Sequence, residues 1–171
     1  MVDIGTSSLR AGYAGDDYPK AIIPTAYGYT PAPPDADISM DGAVPSSKPK
    51  FSNIYVGSTG PSVWREGMEI GYPLADGLSA YMSFGARYIT NSSLVQDFEP
   101  IKPLVENALS KVMRVNSSEH PILVTEPAWN TPANRERMAE IMFEEFNVPA
   151  FYIANTGVLN SCVFFAQPSV D

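Results

Sequence analysis

The spacing of apolar and polar residues changes rhythm along the chain. Over the first 25 positions short apolar runs, "MVDI", "SLRAGYA" and "AIIPT", are cut by glycine and aspartate. They predict strands over 1–4, 8–14 and 21–25, with Gly5 and the pair Gly15 and Asp16 as turn residues. Hairpin-length links make these three strands an antiparallel meander. From Tyr29 to Ser52 the text "YTPAPPDADISMDGAVPSSKPKFS" holds no period and is rich in Pro, Ser, Asp and Ala, which reads as an excursion or small irregular lobe outside the core. Residues 54–78, with Trp64, Met68, Tyr72 and Leu74, regain enough apolar content to pack, without a rhythm that assigns their structure.

The second half reads more clearly. "PIKPLVENALSKVMRV" sets Ile101, Leu104, Val105, Ala108, Leu109 and Val112 on one helical stripe. Pro100 and Pro103 fall at its start, where backbone N–H groups have no helical partner to lose. "PILVT" at 121–125 is apolar throughout, as a strand buried on both faces requires. Thr131 and Pro132 then supply an N-cap and a first helical residue for a helix whose inward stripe is Met138, Ile141, Met142 and Phe146. "AFYIA" at 150–154 is a second buried strand, parallel to the first across a right-handed crossover. Val158 to Phe165 reads as a closing helix.

Composition narrows the function. With 44% apolar residues in 171, the chain can build a core. Its net charge of −8, with no cluster of Lys or Arg, argues against direct binding of nucleic acid, whose affinity comes mainly from clustered cations. No stretch approaches a membrane span, and the start lacks the basic and apolar regions of a signal peptide, so a soluble intracellular protein is the plain reading. A single Cys162 and a single His120 make a structural zinc site implausible, and His120 reads as a polar cap before a strand. Trp64 and Trp129 are better placed as core or half-core residues than as partner anchors.

The chemistry concentrates in "VDIGTSSLRAGYAGDD". A hairpin turn can gather several amide donors into an anion-binding concavity, and a nearby carboxylate can help hold a hydrated Mg²⁺. On its own the motif is short and equally describes a simple turn.

With "HPILVTEPAWNTPANRERMAEIMFEEFNVPAFYIA" behind it, the chain closely resembles the N-terminal half of actin and the actin-related proteins. "TEPAWN" and the stretch from "REGMEI" to "PLADGL" are most like the nuclear class, that of actin-related protein four. The resemblance implies an α/β, ribonuclease-H-like actin-type ATPase fold: a mixed sheet of about five strands with helices, plus a small irregular lobe. Residues 1–28 and 95–165 would form the first subdomain, 29–78 the second, with 79–94 an insertion and 161–171 a divergent tail. It implies that the opening hairpin binds the phosphates of ATP, with Gly5, Thr6, Ser7 and Ser8 around them, Arg10 where actin has a lysine, and Asp3 near Mg²⁺ through water. Without gaps, Thr156 takes the place of actin's water-orienting glutamine, so hydrolysis is not expected. Leu78 and Val95 are separated by sixteen residues where the family has almost none.

The resemblance also implies that a second phosphate loop, the adenosine pocket and two further subdomains lie beyond Asp171, leaving ATP and Mg binding weak or absent in this chain. The implied role is a non-catalytic subunit of nuclear chromatin-remodelling or histone acetyltransferase complexes. Its partners would be actin, a helical scaffold subunit and histones, without direct contact to nucleic acid or membrane. A cytoplasmic, filament-type ATPase and a non-functional fragment of a partial gene model are the alternatives.

Overall fold

Alternation at the amino terminus sends Val2 and Ile4 to one side and Asp3 to the other, and it opens the first strand of the computed structural model, which describes residues 1–31, 51–74, 95 and 97–165. In chain order the strands β1 (Val2–Ile4), β2 (Ser8–Ala11) and β3 (Ala21–Pro24) are followed by β4 (Tyr27–Pro31), β5 (Phe51–Tyr55) and β6 (Glu69–Gly71). Then come helix α1 (Ile101–Glu106), strand β7 (Ile122–Glu126), helix α2 (Pro132–Glu140), strand β8 (Phe151–Asn155) and helix α3 (Thr156–Phe165). The main sheet has the order β3-β2-β1-β7-β8. The meander is antiparallel, while β1–β7 and β7–β8 are parallel, which makes the mixed five-stranded sheet that was expected.

One register explains both the core and the exposed face. Val2 lies opposite Ala11 and Val124, and Leu9 opposite Ile4 and Ile23, so these positions build one apolar face of the sheet, with Glu126 at its edge. Helices α1 and α2 cover that face with Ile101, Leu104, Val105, Ala108, Met138, Ile141 and Met142. Leu9, Ile101, Leu104 and Met142 are fully buried, each stabilising by about 1.5–3 kcal/mol relative to exposure. The cross-strand row Asp3, Arg10 and Ile22 points to the other face, where Ile22 is 63% and Tyr152 66% exposed.

Both packed helices widen toward their ends. α1 continues into a π-helical stretch (Asn107–Val112) and α2 into another (Ile141–Glu145), with Met113 N–H donating to Ala108 O and Phe146 N–H to Ile141 O. Each is closed by a left-handed residue, Arg114 (φ 57°) and Asn147 (φ 51°). The wider turn rotates the apolar stripe, and Val112, predicted to face inward, is 45% exposed. Strand β2 stops at Ala11, three residues short of the predicted end: Gly12 and Met1 still exchange backbone bonds in the same register, and the chain then turns at Ala14 and Gly15 (φ 98°).

The lobe is more regular than its composition suggests. Among the described residues it is a three-stranded sheet of order β5-β4-β6. Tyr27, Tyr29 and Phe51 stack with ring centroids 4.6–5.8 Å apart and join it to the main core. Gly71 is required where it stands, since a Cβ there would come within 2.6 Å of the Tyr27 ring. Trp64 and Trp129 do not pack as predicted: they are 83% and 53% exposed, each lying in a connection between elements, Trp64 before β6 and Trp129 between β7 and α2. Leu74 and Val95 form an antiparallel bridge and Asp97 N–H reaches Pro73 O, so the flanks of the expected insertion lie side by side. Residues 79–94 themselves, residues 32–50 of the lobe and the end of the tail lie outside the described residues.

Candidate functional site

The carboxyl ends of the three parallel strands converge. Val2 pairs with Val124, which puts Asp3 beside Thr125, and Glu126 pairs with Asn155, which sets the end of β7 beside the start of α3. Thr125 donates its hydroxyl to Asp3 Oδ1 at 2.5 Å. The other carboxylate oxygen of Asp3 is 4.0 Å from the Arg10 guanidinium across the hairpin, both side chains being partly exposed. That Asp3–Arg10 contact is long and solvated, and it contributes little by itself.

The turn between β1 and β2 is held from below. Gly5 N–H donates to Ser8 O at 3.1 Å and closes the hairpin around Thr6 and Ser7. Thr25, fully buried, donates its hydroxyl to Gly5 O at 2.7 Å, and its N–H donates to Ser7 O at 3.1 Å. Two carbonyl oxygens of the turn are thereby drawn inward, away from the side an anion would approach. A Cβ on Gly5 would stand 3.0 Å from Ser8 O, so a larger residue there would push the turn open. Asp3, Gly5, Thr6, Ser7, Ser8 and Arg10 thus share one hairpin, with Asp3 and Arg10 on the exposed sheet face.

Three further residues have no signal in the sequence reading. Glu126 is 8% exposed, yet it carries a charge. Arg135 on α2 donates to both its oxygens at 2.8–3.0 Å, and Asn130 adds a third bond at 2.8 Å. Burial pushes the Glu126 carboxyl up, but the hydrogen bonds from Arg135 and Asn130 and the charge of the guanidinium together hold it below the ordinary carboxylate range. The bond to Glu126 raises Arg135 in turn. A carboxylate inside a "TEP" triplet could only have been found by pairing it with an arginine nine residues on, across a loop and a helix cap. Thr156 donates its hydroxyl to Glu126 O at 2.9 Å, and Asn155 Oδ1 caps α3 by accepting from Gly157 N–H at 2.8 Å.

The donor set suits a hydrated Mg²⁺ held largely by phosphate oxygens. Asp3 offers a partly exposed carboxylate, and Glu126 is occupied by Arg135. Among the described residues no three His, Cys, Asp or Glu side chains cluster into a dedicated metal cage. Bound there, Mg²⁺ would neutralise phosphate charge; Asp3 would orient its water shell, and Thr125 would fix one oxygen of Asp3.

The sequence comparisons bear on the family of the chain. The actin family model matches residues 1–166. Actin-related protein 4 of Arabidopsis thaliana is 32% identical over an alignment covering 94% of this chain and 35% of that protein. Actin-related protein 4 of Oryza sativa subsp. japonica is also 32% identical, with 94% and 36% covered. Actin-related protein 3 of Drosophila melanogaster is 31% identical, with 100% and 36% covered. The chain therefore spans about a third of the length of these curated relatives.

Proposed function

This chain belongs to the actin family, and on that premise we propose that it is a non-catalytic, nucleotide-binding-fold subunit of a nuclear chromatin-remodelling or histone acetyltransferase complex, akin to Actin-related protein 4. The hairpin of Gly5, Thr6, Ser7, Ser8 and Arg10 takes the phosphates of ATP, and Asp3 takes Mg²⁺ through water. Binding by these 171 residues alone is weak, because they supply one wall of the cleft. Actin, a helical scaffold subunit and the basic surfaces of histones are the partners, the last favoured by the net charge of −8.

The observation that carries the non-catalytic part is Thr156. Its hydroxyl is committed to Glu126 O at 2.9 Å, at the position where the family's glutamine orients the attacking water. A hydroxyl whose one proton is held by the Glu126 carbonyl keeps only acceptor lone pairs, and it lacks the second polar end with which a carboxamide orients a water. The experiment is affinity purification of the tagged chain from nuclear and cytoplasmic extracts, with phosphate release measured on the product. Recovery with actin and a scaffold subunit from the nucleus, without ATP turnover, is expected; recovery with cytoplasmic filaments, or turnover above the free-nucleotide background, refutes the reading.

The exposure of this sheet face among the described residues favours a second reading. Ile22 and Tyr152 lie exposed on it, and a fragment without its covering polypeptide would self-associate through them. Sedimentation tests this: a monomer that melts cooperatively at every concentration removes that reading.

A further inference from the structure

Residues 125 and 126 face opposite sides of the sheet, and both are tethered. Thr125 reaches across the exposed face to Asp3 at 2.5 Å. Glu126 reaches into the helix layer, where Arg135 grips both its oxygens at 2.8–3.0 Å. Between the two, the Glu126 carbonyl accepts from Thr156 at 2.9 Å. Asn130 ties the same carboxylate to the loop that leads into α2. A strand end has few ways to move: turning the last peptide of β7 swings both side chains together.

We infer that Arg135, acting through Glu126, is a positioning residue for the phosphate-side carboxylate: the pair fixes the end of β7 so that Thr125 presents its hydroxyl to Asp3. The inference rests on the reading of Asp3 as the magnesium-side group. Stability alone does not explain the pair well. An ion pair taken out of water gives back much of its attraction in desolvation, and an apolar substitute of similar volume often serves as well. What an apolar substitute cannot do is fix a rotation. The bidentate fork of a guanidinium on a carboxylate sets both distance and plane, so lysine, a point charge, would not reproduce it.

The test uses the full 171-residue chain and reads the χ1 rotamer of Thr125 by three-bond NMR couplings. The variants are Arg135→Gln, Arg135→Lys and Glu126→Gln, with Met142→Ala as a control that loosens the buried core elsewhere. Magnesium ATP is titrated in parallel. The expected result is one rotamer in the wild type and in Met142→Ala, and averaging in Arg135→Gln and Glu126→Gln, with Arg135→Lys between.

Magnesium ATP should bind Arg135→Gln about tenfold more weakly than the wild type, the lower end of what outer-shell partners of a metal ligand cost. A fixed Thr125 in Arg135→Gln and Glu126→Gln overturns the inference, as does equal averaging in Met142→Ala. Should Arg135→Gln fail to fold, Glu126→Gln, which keeps the volume, carries the same decision. A wild type that shows one Thr125 rotamer yet binds no magnesium ATP at millimolar concentration refutes the nucleotide reading, and the rotamer data still decide the positioning claim.

Discussion

Replacing Thr125 by valine removes one hydroxyl and keeps the shape of the side chain, so its effect isolates the bond to Asp3. A hydrogen bond to a charged acceptor is worth about 1.5–3 kcal/mol when shielded. The Asp3 side chain is 36% exposed, so water replaces part of what is lost, and about 1 kcal/mol is the reasonable loss. For a domain of this size that is a fall of about 2–4 °C in melting temperature. Valine also brings better strand propensity and an extra apolar group, either of which could mask the loss in a single mutant. The assay is therefore a double-mutant cycle, Thr125→Val with Asp3→Ala, followed by denaturant unfolding. A coupling of about 1 kcal/mol is expected. Additivity to within about 0.4 kcal/mol would show that the 2.5 Å contact holds nothing, and the site would lose its link between β1 and β7.

Other consequences follow from neighbouring contacts. Glu126 has a folded pKa below its ordinary 4.5, so the unfolded chain takes up its proton first as the pH falls. Its share of stability is complete above that value and is lost below it; unfolding free energies measured from pH 7 downward should show the gap between wild type and Glu126→Gln closing in that acidic window. Thr131 accepts from Asn134 N–H at 3.2 Å as the N-cap of α2, and Thr131→Ala should cost about 1 kcal/mol in the same denaturation assay. Deleting residues 79–94 shortens the segment between the bridged Leu74 and Val95 from twenty residues to four. If those sixteen residues add only closure entropy, the deletion stabilises by about 1.4 kcal/mol, from (3/2)RT ln(20/4). Loss of cooperative folding on deletion would place them in the core instead.

The parts of this fold that were legible in the sequence are those set by short-range rules. A stripe of Ile101, Leu104 and Val105 reports a helix face, and the apolar run "PILVT" reports a strand, though not one buried on both faces as expected: Ile122 and Val124 are buried on the helix side, Leu123 and Thr125 on the other face are half-buried, and Tyr152 of the neighbouring strand is exposed. Thr131 with Pro132 marks a helix start for reasons confined to three residues. The lobe was not legible, because its strands are held by long-range contacts. Phe51 packs on Tyr27 and Tyr29 across more than twenty residues, and β6 depends on glycine yielding space to the Tyr27 ring. The π-helical ends were invisible for a similar reason, since a stripe of period 3.6 gives no sign of where the turn will widen. At the site, the hairpin could be read from its glycine, hydroxyl residues and acid. Its supports could not. Thr25, Thr125 and Glu126 each look like an ordinary strand residue until the fold sets Thr25 under the Gly5 turn, Thr125 on Asp3 and Glu126 against Arg135.

The same register that puts Val2 into the core puts Asp3, Arg10 and Ile22 in one row on the opposite face. Parallel strands are ordinarily covered on both sides, yet among the described residues α1 and α2 line one and leave Ile22 and Tyr152 exposed on the other. The charged pair Asp3 and Arg10 and the exposed apolar Ile22 and Tyr152 are therefore two aspects of a single arrangement. Any polypeptide that lies over Ile22 and Tyr152 also shields Asp3 and Arg10, lowers the local dielectric and strengthens their hold on charge. If this chain takes magnesium nucleotide as proposed, binding of that polypeptide and binding of the nucleotide would be linked equilibria, each raising the affinity for the other by the same factor. On the reading proposed above, nucleotide would act as a structural ligand that tightens an assembly, a role that needs no turnover and tolerates Thr156 in place of glutamine.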